Sequence, residues 1–299
     1  MRMGEKLGTR WPLIIVTTLT AGEAVSIARH DTHPAVTVYC AVLAAAAWAW
    51  HGRQTQERAV SGGYFAQCTT WDLYVRPHRP PADPTTLYTA LAQRMRQTDE
   101  HVATYAARHG LDRISIALPR AHDAFADARS TRHRRTGHLW LGARWFHPRH
   151  THHLPAVLEH ELAHVRRYDT RSRLIVETFA VAATVLTAGL LPLPGAALTA
   201  LTAWFSSRTW RWWSELACDA AAVRACGRAH VAAMWSDDLA DEHAMPWAAR
   251  IRHTLWALNR HPPLRLRRWF ALHLPVPPSH TQHPLAVSPH PAPAAPAYE

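Results

Sequence analysis

Two histidines four residues apart, with a glutamate directly after the first, stand at His160-Glu161-Leu162-Ala163-His164. On a helix, positions four apart share one face, so both imidazoles can be presented to a single metal ion. Glu161 follows the first of them and can reach a water at an open coordination position without binding the ion itself. Two nitrogen ligands, a carboxylate base and room for water are the parts of a zinc hydrolase. The plain alternative is a pair of surface histidines on an ordinary helix, in a chain that holds 23 His.

A hydrolytic zinc site needs a third protein ligand. Trp210-Arg-Trp-Trp-Ser-Glu-Leu-Ala-Cys-Asp219 reads as a helix continuing through Ala220, Ala221 and Val223, with Glu215 and Asp219 on one face. One carboxylate on the ion and a second orienting a ligating imidazole is the arrangement such sites use. A solvated acidic face would explain the same pair. The segment is otherwise apolar and aromatic, which favours a buried purpose.

The elements that must hold these groups follow from periodicity and punctuation. Asp83-Pro84 opens a helical pattern through Leu87, Leu91, Met95, Val102 and Tyr105, ending at Gly110. Residues 113–118 alternate like a strand closed by Pro119, and residues 138–146 alternate again, with a basic loop from Arg129 to Arg135 between them. The histidine-thick stretch HPRHTHH at 147–153 reads as a solvated loop, and Pro155 suits the first turn of the HELAH helix. The expected fold is mainly α with a small β-sheet, an α+β zincin-like catalytic domain on a multi-pass helical membrane anchor.

Four apolar segments supply the anchor. A basic head, residues 1–10, precedes an apolar run from Trp11 to Ala28 interrupted only by Glu23, and an uncharged run follows from Pro34 to Trp50. Together they read as a hairpin of spans, with Glu23 facing a partner helix or lying near the interface. A second apolar stretch, Leu174 to Phe205, contains only Glu177 and is broken by Pro192-Leu-Pro-Gly195, again a hairpin, with a buried core hairpin as the soluble alternative. The zinc helix is expected to run on into it. The organisation is then 1–50 membrane helices, 51–173 the first part of the catalytic domain, 174–206 a second membrane hairpin, 207–270 the second part, and 271–299 a disordered tail rich in Pro, His and Ala. Residues 51–80 are polar and turn-rich.

A net charge of +11 is carried almost entirely by Arg. The arginines flank the apolar segments on one side, which places the catalytic segment on the cytoplasmic side of the cell membrane. This explains the basic balance without nucleic acid, for which no module signature stands out. Cys40, Cys68, Cys218 and Cys226 show no paired CxxC spacing, so neither a disulfide framework nor a cysteine metal site is expected.

Four stretches in order give the chain a resemblance to the membrane zinc metalloproteases typified by HtpX and the CAAX prenyl endopeptidase. These are Leu118-Pro119 with AHDAFADAR (121–129), HELAHVRRYD (160–169), ELACD (215–219) and HPPLRLR (261–267). The resemblance covers roughly 85–270, and the order of spans is similar too. It implies one zinc per chain held by His160, His164 and Glu215, with Asp219 orienting a ligand and Glu161 as general base. It also implies that His261 or Arg267 holds the oxyanion or substrate backbone, and that 138–146 or 121–127 pairs with an extended peptide. Asp123 in place of Asn, Asp127-Ala128 in place of Thr-Gly, and Cys218 in place of Ala depart from the family pattern. The expected partners are a peptide or protein substrate, membrane proteins among them, and the lipid bilayer. Two rival readings are a membrane metallopeptidase of the antirepressor type, which cleaves a transcriptional repressor, and a non-catalytic membrane scaffold of the same fold.

Overall fold

A computed structural model describes residues 11–28, 33–61, 86–117, 128–146, 150–258 and 261–275. The chain is mainly helical with one small sheet. In order run α1 (Trp11–Ala28), α2 (Pro34–Ser61), α3 (Thr86–Arg108), β1 (Arg113–Ala117), β2 (Ala128–His133), β3 (Thr136–Leu141), α4 (Leu154–Arg167), α5 (Asp169–Leu190), α6 (Leu193–Cys226), α7 (Arg228–Ala244), α8 (Trp247–Leu258) and α9 (Leu264–His273). Short 3-10 turns occupy Ala143–Phe146 and Thr151–His153.

The sheet has the order β1-β3-β2, with β3 parallel to β1 and antiparallel to β2. The supposed basic loop at 129–135 is therefore mostly strand: Ala128–His133 pairs with β3, and Arg134, at φ 53, makes the turn. Cross-strand pairing decided this, and an Arg-rich stretch gives no sign of it. The alternation at 138–146 also ends early. β3 stops at Leu141, and the Trp145 amide donates to the Gly142 carbonyl in a tight turn that buries Trp145 and Phe146.

The main core lies between α3, the sheet, α4 and α7, around Met95, Val102, Leu139, Leu158, Leu162 and Met234. α4 meets the sheet so closely that a Cβ on Gly137 would lie 2.7 Å from Val165 Cγ1. Any side chain there would push the HELAH helix off the sheet.

α4 does not run on into the apolar region. It ends at Tyr168, which takes the left-handed conformation at φ 56 and ψ 44, and α5 starts at Asp169. A left-handed tyrosine is strained and persists only where its surroundings hold it. Here Arg132 and Arg171 sit over its ring, and its hydroxyl accepts from the Arg134 amide at 3.2 Å.

α1, α2 and α5 form a second packed unit. Glu23 faces a partner helix within it: the Thr37 hydroxyl donates to Glu23 Oε2 at 2.7 Å, and both residues are buried. Gly189 of α5 admits this pair, because a Cβ there would collide with both side chains. Two segments are long and apolar enough to cross a membrane, Pro34–Thr55 and Asp169–Leu190; Ile14–Ile27 is apolar but shorter. The first half of α6 does not pass that length and hydropathy test among the described residues, so two of the four expected spans meet it.

The break at Leu191-Pro192 lies where the sequence places it, but α6 then continues unbroken for 34 residues to Cys226. At 1.5 Å per residue it is roughly 51 Å long, one rod from the apolar apex to the Glu215–Asp219 segment. Two further boundaries shift. Helix α2 extends through residues 51–61, which read as polar loop, and α9 runs to His273, past the expected start of the tail at Ala271. The basic head, residues 118–127 and the rest of the tail lie outside the described residues.

Candidate metal centre

α4 turns one stripe towards a cleft of about 1120 Å³: Val157, His160, Glu161 and His164, at spacings of three and four residues. Pro155 sits in its first turn and costs no hydrogen bond there. α6 brings Glu215 against this stripe. His160 Nε2 and His164 Nε2 lie 3.2 Å apart, and Glu215 oxygens lie 3.6 Å from the first and 3.4 Å from the second.

The outer nitrogens explain why these three meet. His160 Nδ1 is 2.9 Å from Asp219 Oδ1, and His164 Nδ1 is 2.8 Å from Asp169 Oδ2. An imidazole that donates from Nδ1 to a carboxylate presents a bare lone pair at Nε2. Two lone pairs and a carboxylate then converge, with the Arg267 Nη2 3.4 Å from Glu215 Oε2 and from the His160 ring, an arrangement that can take a cation. Ligands 2.0–2.1 Å from a tetrahedral ion stand roughly 3.3–3.4 Å apart, and the three separations bracket that value. Glu215 Oε2 is buried and makes no hydrogen bond. The residues present therefore fit a metal ion.

Electrostatics agree with the geometry. Burial alone would raise the Glu215 carboxyl, but the imidazoles of His160, His164 and His261 and the Arg267 charge outweigh it and hold the group well below the carboxylate range. Asp219, fully buried, is likewise opposed by desolvation and held low by the Arg267 guanidinium and His160. Burial disfavours a charged His164, yet its hydrogen bonds to Asp169, Cys218 and Glu215 raise it well above the usual value.

Every residue expected at the site is found near it, though not always in the expected role. Glu161 is buried on the cleft stripe beside His160. Asp219 backs His160, as the resemblance implies. His261 lies in the turn before α9, its Nδ1 2.9 Å from Glu215 Oε2 but without hydrogen-bond alignment, and its side chain is partly exposed.

Arg267 is bound behind the ligands. Its Nε and Nη2 bind the two Asp219 oxygens at 2.8 and 2.7 Å, and its guanidinium carbon sits 3.7 Å over the Trp235 ring. A buried guanidinium engaged twice by one carboxylate is committed to holding that carboxylate. Arg267 thus holds Asp219, and its Nη2 also lies 3.4 Å from Glu215 Oε2 and from both His160 ring nitrogens.

The expected substrate strand also changes. β3 is hydrogen-bonded on both sides over 136–140 and residues 143–146 form a 3-10 turn, so the strand part of 138–146 offers no open ladder. Among the described residues β1 and β2 are both edge strands, and β2 brings Arg129 and Ser130 to the cleft. The other expected segment, 121–127, lies outside the described residues.

Two contributors were not singled out from sequence. Asp169 is the last residue of the HELAHVRRYD stretch, so a signal was present, but its reach back to His164 depends on the left-handed Tyr168. Cys218 sits fully buried behind the site, its Sγ 3.6 Å from Asp169 Oδ2, and burial pushes the thiol up to about 11. Comparison with family models, curated proteins and solved structures finds no match to this chain.

Proposed function

We propose that this chain is a membrane-embedded zinc metalloendopeptidase acting on peptides or proteins, membrane proteins among them. The observation that carries the reading is the convergence of His160 Nε2, His164 Nε2 and a Glu215 carboxylate at tetrahedral donor spacing, with both imidazoles backed by carboxylates. Two imidazoles and one carboxylate are the donor set that catalytic zinc uses. One zinc held there would polarise the scissile carbonyl and lower the pKa of the attacking water.

Glu161, one residue from the first ligand and facing the same cleft, takes the proton from that water and delivers one to the leaving amine. Asp219 and Asp169 fix the ring orientations of His160 and His164, and Arg267 keeps Asp219 charged and in place. His261, at the mouth of the site, is the group placed to meet the substrate carbonyl or backbone. The edge strand β2 gives an extended peptide a ladder beside the cleft. The four ordered stretches that resemble the HtpX-type proteases support the same assignment.

The membrane part of the reading rests on Pro34–Thr55 and Asp169–Leu190. Exposed Trp50, Trp204 and Trp213 and the stacking of Arg208 on Trp204 are in keeping with helices that emerge through a lipid interface. The arginine distribution favours a plasma-membrane protein with its cleft on the cytoplasmic side, and α1 and the first half of α6 complete a four-helix anchor.

The test is metal content and casein cleavage of detergent-purified protein, wild type beside Glu161→Gln. One cleft zinc in both, with cleavage about 10²–10⁴-fold lower in the variant and abolished by a chelator in the wild type, is the expected result. A Glu161→Gln protein that cleaves like wild type, or a cleft without metal, overturns the reading.

A further inference from the structure

The histidine-thick stretch ahead of α4 is not spent in the cleft. Thr151–His153 forms a 3-10 turn leading directly into α4, and His153 at its end is almost wholly buried. Its Nε2 meets Asp237 Oδ2 of α7 at 2.7 Å, and His152 Nε2 lies 4.0 Å from the same oxygen, with the two rings 3.8 Å apart. α7 presents Met234, Trp235, Asp238 and Asp241 to the cleft, whereas Asp237 is not among the cleft residues. His230, two turns before Asp237 and so on its stripe, has its ring edge-on to His153 with centroids 6.2 Å apart.

We propose that His152, His153 and Asp237 form a second divalent-metal site, which clasps the turn preceding the HELAH helix to α7. Two imidazoles and a carboxylate take a borderline cation of the zinc, cobalt or nickel type. The two distances to Asp237 bracket the roughly 3.3 Å separation of tetrahedral donors. Bringing both to that spacing needs a movement of at least about 0.7 Å, which the exposed Asp237 side chain can make. The exposure of His152 and Asp237 gives the ion a way in. His153 is rigid because it is buried between α4 and α7, so binding orders only the outer two ligands. The structural consequence is specific: α4 carries His160, and α7 carries Trp235, on which Arg267 stacks. An ion here ties together two helices that frame the cleft, without contributing a group to it.

The experiment is a zinc titration of the detergent-solubilised full chain, with free zinc buffered by a competing chelator. Bound metal is counted by elemental analysis and unfolding is followed by heat. His152→Ala and Asp237→Asn should each hold one equivalent fewer than wild type, with the zinc-dependent rise in Tm correspondingly reduced. His160→Gln should lose a different equivalent and keep the rise that His152 and Asp237 confer. His152 is partly exposed, so its variant folds without the metal, and an unchanged metal-free Tm verifies that. If both variants bind as much zinc as wild type, the second site does not exist. If His160→Gln alone shows no loss, it is the cleft site that fails, and the two outcomes stay separate.

Discussion

One cluster of two histidines and one carboxylate lies in the cleft and a second at the entrance to α4, and they are built differently. In the cleft, His160 and His164 stand a helical turn apart, each Nδ1 is tied to its own carboxylate, and Arg267 secures one of those carboxylates in turn. At the α4 entrance, His152 and His153 are neighbours on a 3-10 turn and share a single partly exposed Asp237. The first is a site held before any ion arrives. The second relies on an ion, or on one hydrogen bond, to hold it. The difference shows what pre-organises a cluster of donors: the groups behind them, and the burial that makes those groups necessary.

Breaking the support of the cleft cluster should have the largest effect. Arg267→Met strands the fully buried Asp219 without its main counter-charge, and loss of one partner of a buried pair costs about 3–5 kcal/mol. Chemical denaturation of the metal-free protein should show that drop, and a change under 1 kcal/mol would mean that water reaches Asp219. Asp219→Asn keeps the shape but weakens the hold on His160. Zinc affinity at the cleft should fall about 10–100-fold, measured by competition with a chromogenic chelator. The entrance cluster gives the smallest effect. His152→Ala in the metal-free protein should stay within about 0.5 kcal/mol of wild type, and a larger loss would show that its ring contact with His153 already supports the turn.

Much of the cleft site was legible because its geometry is local. His160 and His164, or Glu215 and Asp219, need only a helix to share a face, and helical periodicity is visible over a few residues. The apolar break at Pro192 is equally local. What escaped the reading depends on distant partners. The strand β2 looks like a basic loop until β3 pairs with it, and the alternation through Phe146 looks like one strand until Gly142 turns the chain into the core. Tyr168 gives no sequence sign of a left-handed conformation, yet that one residue separates α4 from α5 and aims Asp169 at His164.

The two halves of α6 show the same division. From Leu193 to Phe205 its large apolar side chains are exposed, and from Ser214 to Val223 it buries serine, cysteine and aspartate beside the metal ligands. Composition identifies both halves, but only the continuous helix shows that one rod carries the apolar region and Glu215 together.

The sequence by itself determined the donor types, their one-turn spacing, the carboxylate beside the first of them and the apolar segments, since each follows from side-chain chemistry and the helical repeat. The tertiary structure alone decided which carboxylate backs which imidazole, that Arg267 pairs with Asp219, and that β2 is a strand bordering the cleft. Those outcomes turn on contacts between residues as far apart as His160 and Arg267, and no local periodicity encodes them.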